Sequence, residues 1–189
     1  MNSVLIGGMG NVLLGDDAFG PYIIRLLESQ YVFDEEIELA DLGTPALDLT
    51  HRIAARRGVI LIDCIAPGEY KAGTVLLYTK QELLSAIPAR RFDPHSPALS
   101  ECLLTAEMLG AVPEQVLLVG AVGESFEPGL PLSVSLSASI SRVIDAVLHE
   151  LKSLGVSFRP KFCAAGEMGV WWQKSPSSTI LIPDPLSKS

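Results

Sequence analysis

The stretch Gly8-Met9-Gly10-Asn11-Val12-Leu13-Leu14-Gly15-Asp16-Asp17 lies between a short apolar run, Val4-Leu5-Ile6, and Gly20-Pro21. The run reads as a buried strand. Gly20-Pro21 opens a helix whose apolar positions include Ile23, Ile24 and Leu27. Together they make a strand–loop–helix unit whose glycine-rich connection ends in two carboxylates.

The same alternation continues outward. Ile37 to Leu42 alternates as a half-buried strand, and Thr44-Pro45 starts a helix expected to end near Arg56-Arg57 with Gly58 as its stop. Val59-Ile60-Leu61-Ile62 is continuously apolar, as in a parallel sheet covered on both faces. Thr74 to Tyr78 has the weaker pattern of an edge strand, which can run antiparallel. Ser96-Pro97 opens a helix to Leu109, and Val116 to Val122 is a further strand. From Ser133 to Leu154 apolar residues keep a helical spacing that Gly155 ends. The expectation is a three-layer α/β/α fold, an open, mainly parallel twisted sheet of about five strands with helices on both faces.

Composition limits what this fold carries. The 189 residues with 48% apolar content suit one domain with a single core. Residues 1–157 are expected to form it. Residues 158–189, rich in Pro, Gly, Ser and Lys around Trp171-Trp172, form a C-terminal extension of no assigned order. The 14 Lys plus Arg against 22 Asp plus Glu give a net charge of −8 without a basic run, which argues against nucleic acid or an anionic membrane as partner. No signal peptide and no run of about 20 apolar residues appears, so a cytoplasmic chain without a membrane span is expected. Cys64, Cys102 and Cys163 are odd in number and widely spaced, which suits reduced, mostly buried thiols rather than a disulfide framework or structural zinc.

Several chemistries drop out. Leu13 occupies the place of the third glycine of a dinucleotide fingerprint, and neither a phosphate-binding loop nor a serine nucleophile elbow is present. What remains is Asp17, Asp63 at the end of the apolar strand, and His95 in Asp93-Pro94-His95, all expected at the carboxyl edge of the sheet where ligands gather. Two oxygen ligands and one imidazole leave coordination positions open for substrate or water. Asp16 and Asp17 are adjacent, so their side chains diverge and one reaches the site; that it is Asp17 rests on the family resemblance given below.

Each residue also has a plainer explanation. An aspartate before a helix serves as a cap or complements the dipole, and a loop histidine needs no ligand. Asp41-Leu42-Gly43-Thr44-Pro45 closes the second strand at the same edge, or merely supplies a turn at Gly43 and a cap at Thr44. Glu127, held extended before Pro128, is a better candidate than Glu124 to approach the site. His51 and His149 fall on solvated helix faces and receive no role.

The segment from Gly8 to Gly20, the Asp41-Leu42-Gly43-Thr44 turn, Asp63 and Pro94-His95 resemble the hydrogenase maturation endopeptidases. These enzymes trim the C-terminus of the large subunit of nickel–iron hydrogenases. The similarity runs from about residue 3 to about residue 154, Glu124 to Pro128 resembles the family's uptake-type members, and Ala18 stands where many members have Gly. The resemblance implies a single α/β peptidase domain in which Asp17, Asp63 and His95 bind the metal and carry the catalysis. Asn11, Asp16, Asp41, Gly43, Thr44 and Glu127 are then supporting residues. It implies nickel supplied by the precursor, with zinc or cadmium as other divalent occupants, and the large-subunit precursor as partner of a chain expected to be monomeric. A non-catalytic, metal-dependent chaperone or sensor for an immature metalloprotein is the alternative. A small-molecule hydrolase on the same scaffold is a third reading.

Overall fold

Strand β1 (Val4–Met9) is buried along its whole length because it lies inside a five-stranded sheet. The computed structural model describes residues 3–33, 37–45, 48–85 and 96–161, with the side chains of 96–98 excepted. In chain order β1 is followed by a 3-10 turn (Gly15–Ala18), α1 (Phe19–Gln30), β2 (Tyr31–Phe33), β3 (Ile37–Gly43) and α2 (Leu49–Ile53). Then come β4 (Gly58–Ile65), β5 (Val75–Thr79), α3 (Lys80–Ser85), α4 (Ser96–Met108), β6 (Gln115–Val122), α5 (Val134–Ser137), α6 (Ile140–Ser153) and β7 (Phe158–Pro160). The main sheet has the order β3-β1-β4-β6-β5. β1 pairs parallel with β3 and β4, and β4 with β6. β5 closes the edge antiparallel to β6, as its weak, half-exposed pattern suggested.

The side-chain period of two sorts the strand residues onto opposite faces. Val4, Ile6, Ile60 and Ile62 pack against Phe19, Ile23 and Leu27 of α1 and Val143, Val147 and Leu151 of α6. Leu5, Val59 and Leu61 pack on the other face against Leu49 and Ile53 of α2 and Leu99 and Leu103 of α4. Each such side chain contributes about 1.5–3 kcal/mol when fully buried. This two-sided covering is the physical reason β4 is apolar without alternation. Cys64 and Cys102 carry their thiols buried within these cores.

Helix α1 lies directly on the sheet because its contact is backbone to backbone. A Cβ on Gly20 would collide with the carbonyl oxygen of Met9 and stand 2.6 Å from that of Ile62, and one on Gly8 would collide with the carbonyl of Gly20. Only glycines permit that approach. The start of α1 is thereby fixed against the carboxyl ends of β1 and β4.

Two expected helices need correction. The helix expected from Thr44 to Arg57 is confined to Leu49–Ile53. Ala54 is extended and Ala55 takes a φ of +54°, its N–H bonding the carbonyl of Ala111 at 2.7 Å rather than a helical partner. Gly58 therefore opens β4 rather than stopping a helix, and Thr44 is not a cap. The helix expected from Ser133 to Leu154 is two, because the buried Ser139 hydroxyl donates to the Leu136 carbonyl at 2.6 Å and the chain turns there.

Beyond Ser157, Phe158–Pro160 pairs antiparallel with Tyr31–Phe33 in a separate two-stranded sheet. Trp171, Trp172 and Cys163 lie outside the described residues. No helix among the described residues is long and apolar enough to cross a membrane.

Candidate active site

The loop that leaves β1 turns at Gly10, whose φ of +125° suits glycine alone and whose missing Cβ makes room for the carbonyl oxygen of Asp17. The Gly10 N–H donates to the Gly43 carbonyl at 2.7 Å, tying this loop to the end of β3. The Asn11 backbone N–H donates to Asp17 Oδ2 at 2.9 Å, and the Asn11 side-chain oxygen accepts from Leu13 N–H at 3.0 Å. The loop folds back so that the 3-10 turn seats both aspartates in the interior, beside β4.

The two neighbours have separate fates. Asp16 accepts backbone N–H groups from Glu124 at 2.7 Å and Ser125 at 3.1 Å through Oδ2, and from Ser133 at 2.6 Å through Oδ1. Its own N–H donates to the Ser125 carbonyl at 2.8 Å. Asp16 thus clasps the segment after β6, a role that nothing in its neighbourhood of sequence signals. Asp17 accepts one backbone N–H through Oδ2, and no described residue donates to its Oδ1. A buried carboxylate demands compensation for lost hydration. Asp16 obtains it from three donors, and Asp17 from one.

Asp63 is also buried, two residues short of the end of β4, with Oδ1 accepting the Cys64 N–H at 2.9 Å. It pairs with Gly120 of β6 in the parallel ladder. Alternation along β4 puts Asp63 on the Val59 and Leu61 face, the one α4 covers. His95 lies outside the described residues, and Ser96 after it opens α4. Asp17 and Asp63 therefore belong to one edge of the sheet, whereas no three His, Cys, Asp or Glu among the described residues group as a metal cluster.

The supporting residues divide. Asp41 is exposed and its Oδ1 accepts the Gly43 N–H at 2.9 Å, which bends the chain at the end of β3. Thr44 is exposed beside it. Glu127 is exposed on the loop after β6, and Glu124 accepts the Ser135 hydroxyl at 3.0 Å.

The family model described as hydrogenase maturation protease matches residues 21–150. The chain is 31% identical over 158 residues to the hydrogenase 2 maturation protease of Escherichia coli strain K12, covering 84% of this chain and 96% of that protein. It is 30% identical over 152 residues to the hydrogenase expression/formation protein HoxM of Cupriavidus necator, covering 80% and 71% respectively. The solved structure of the hydrogenase maturating endopeptidase HybD from E. coli superposes with a TM-score of 0.78 at 31% identity, covering 84% of this chain and 98% of that one. An α/β chain with these relatives is a peptidase, a hydrolase of peptide bonds. It belongs to the hydrogenase maturation protease family.

Proposed function

We propose that this protein removes a C-terminal peptide from the nickel-loaded large-subunit precursor of a nickel–iron hydrogenase, recognising the inserted nickel through Asp17, Asp63 and His95. Family membership supports the maturation role. The observation that carries the site is the contrast between neighbours: Asp16 is saturated by three main-chain donors, while buried Asp17 retains an oxygen to which no described residue donates.

Nickel enters as part of the substrate. Two hard carboxylate oxygens and one imidazole hold a free divalent ion weakly, so the set favours an ion already anchored by thiolates of the precursor. Zinc or cadmium would suit the same donors.

For the cut, one of the two carboxylates takes a proton from water as it adds to the scissile carbonyl. That proton then passes to the departing amine, which leaves as the new N-terminus of the released peptide. Burial keeps bulk water away and strengthens the electrostatics of this exchange.

The test is the intact mass of a nickel-loaded precursor incubated with the protein, with Asp17→Asn and His95→Ala variants, and with nickel-free precursor. The expected result is loss of a C-terminal peptide only with nickel and only with the unaltered protein. Full processing by Asp17→Asn would sink the assignment of the site. Nickel-dependent complex formation without any mass change would favour the chaperone reading.

A further inference from the structure

Two loops meet at the carboxyl edge of the sheet, 10–14 after β1 and 123–133 after β6, and they are laced together. The Gly129 N–H donates to the Leu13 carbonyl at 3.0 Å, and Asp16 bonds Glu124, Ser125 and Ser133. On these fixed loops and at the start of α5, which the second loop enters, stand three apolar side chains turned to solvent: Leu13 at 62% exposure, Leu130 at 47% and Val134 at 87%. Single exposed apolar residues are ordinary, but two on clasped loops and a third on the helix start they lead into mark a contact surface at one edge.

From this arrangement we infer that Leu13, Leu130 and Val134 form an apolar lip that receives an apolar segment of the precursor polypeptide on its way to the carboxylates. The inference rests on the processing role proposed above and names how the protein part of that substrate is held. The occupant follows from continuity. Asp17 accepts the Asn11 N–H from the same loop that carries Leu13, and Leu13 is itself bonded to the Asn11 side chain, so a polypeptide whose peptide bond reaches Asp17 runs beside that loop. Because the clasp fixes both loops before substrate arrives, docking costs little ordering of the lip.

The experiment compares steady-state cleavage of the nickel-loaded large-subunit precursor by the full chain, by Leu13→Ser, and by a Leu130→Ser/Val134→Ser double variant. Met108→Ser is the control, an 88% exposed apolar residue at the far end of α4. Melting temperature and oligomeric state are measured on every sample. Expected is a KM raised about tenfold in the double variant, with kcat and melting temperature kept and the control unchanged. An unchanged KM overturns the lip. An unchanged KM with a lowered melting temperature shows that the chain covers its own lip, and an unchanged KM with loss of a dimer shows a second copy there; both overturn it as well. Failure of the unaltered protein to cut the precursor removes the processing role and the lip with it, an outcome separate from normal cutting by all variants.

Discussion

Ser133 donates its backbone N–H to Asp16 Oδ1 at 2.6 Å across 117 residues of sequence. The same serine caps α5, its hydroxyl accepting the Leu136 N–H at 3.2 Å. One buried carboxylate therefore sets where the β1 loop, the β6 loop and the start of α5 stand relative to one another.

Asp16→Asn replaces one acceptor oxygen by an amide that faces main-chain donors. With three bonds to a charged acceptor at stake, the expected loss is about 3 kcal/mol of stability. In a chain of this size that lowers the midpoint by about 10 °C in a thermal melt. An unaltered melt would mean that the clasp contributes nothing.

Gly20→Ala and Gly43→Ala separate close contact from backbone conformation. An Ala at 20 drives a methyl into the Met9 carbonyl and to 2.6 Å from that of Ile62, with an expected cost of about 3 kcal/mol. Gly43 has a φ of +58° but open space around it, so Ala there meets only the left-handed penalty, about 1 kcal/mol. Urea denaturation of both variants checks the order, and equal costs would refute it.

Thr79 and Glu82 cap α3 reciprocally. Glu82 Oε2 accepts the Thr79 N–H and hydroxyl, both at 2.8 Å, and the Glu82 N–H donates back to that hydroxyl at 3.4 Å. The Thr79 N–H first, and its hydroxyl second, hold the Glu82 carboxyl below the usual glutamate range. Since the folded value is depressed, the cap's contribution is present above the ordinary glutamate pKa and disappears as pH falls through the folded value. An NMR titration of the Glu82 carboxyl is expected to show a midpoint below that of a Thr79→Val variant. Coincident midpoints would contradict the cap.

Phe158→Ala tests whether the chain beyond Ser157 supports the domain. The Phe158 ring meets Tyr31 edge-on at 6.0 Å and Phe33 at 6.3 Å, with Lys152 Nζ 5.7 Å above it. Loss of these aromatic and cation contacts is expected to cost about 2 kcal/mol in a chemical melt. No change would mean that β7 merely rests against β2.

The central strands and flanking helices were readable because Val4 to Ile6, Val59 to Ile62 and Val116 to Val122 are continuously apolar and the helices between them carry their own period. β2 and β7 are not legible in the sequence because three-residue strands carry no period, and their pairing joins residues far apart in sequence. At the site, adjacency alone indicated that only one of Asp16 and Asp17 faces the edge. The clasp itself was hidden because all of its donors are main-chain N–H groups, which every residue type but proline supplies. The helix after β3 was overextended because Arg56 and Arg57 look like a helix end, whereas the left-handed turn at Ala55 is set by a bond to Ala111.

The backbone contact between Gly8 and Gly20 makes the floor of this edge immovable, since at that crossing no side chain stands between helix and sheet to be traded for a larger or smaller one. Room for change is left to the rim, where residues 127–131 are exposed between ends anchored on Asp16, with only the Gly129 N–H tied back to Leu13. A change of side chain in that arc therefore alters the rim without disturbing the buried carboxylates beneath it.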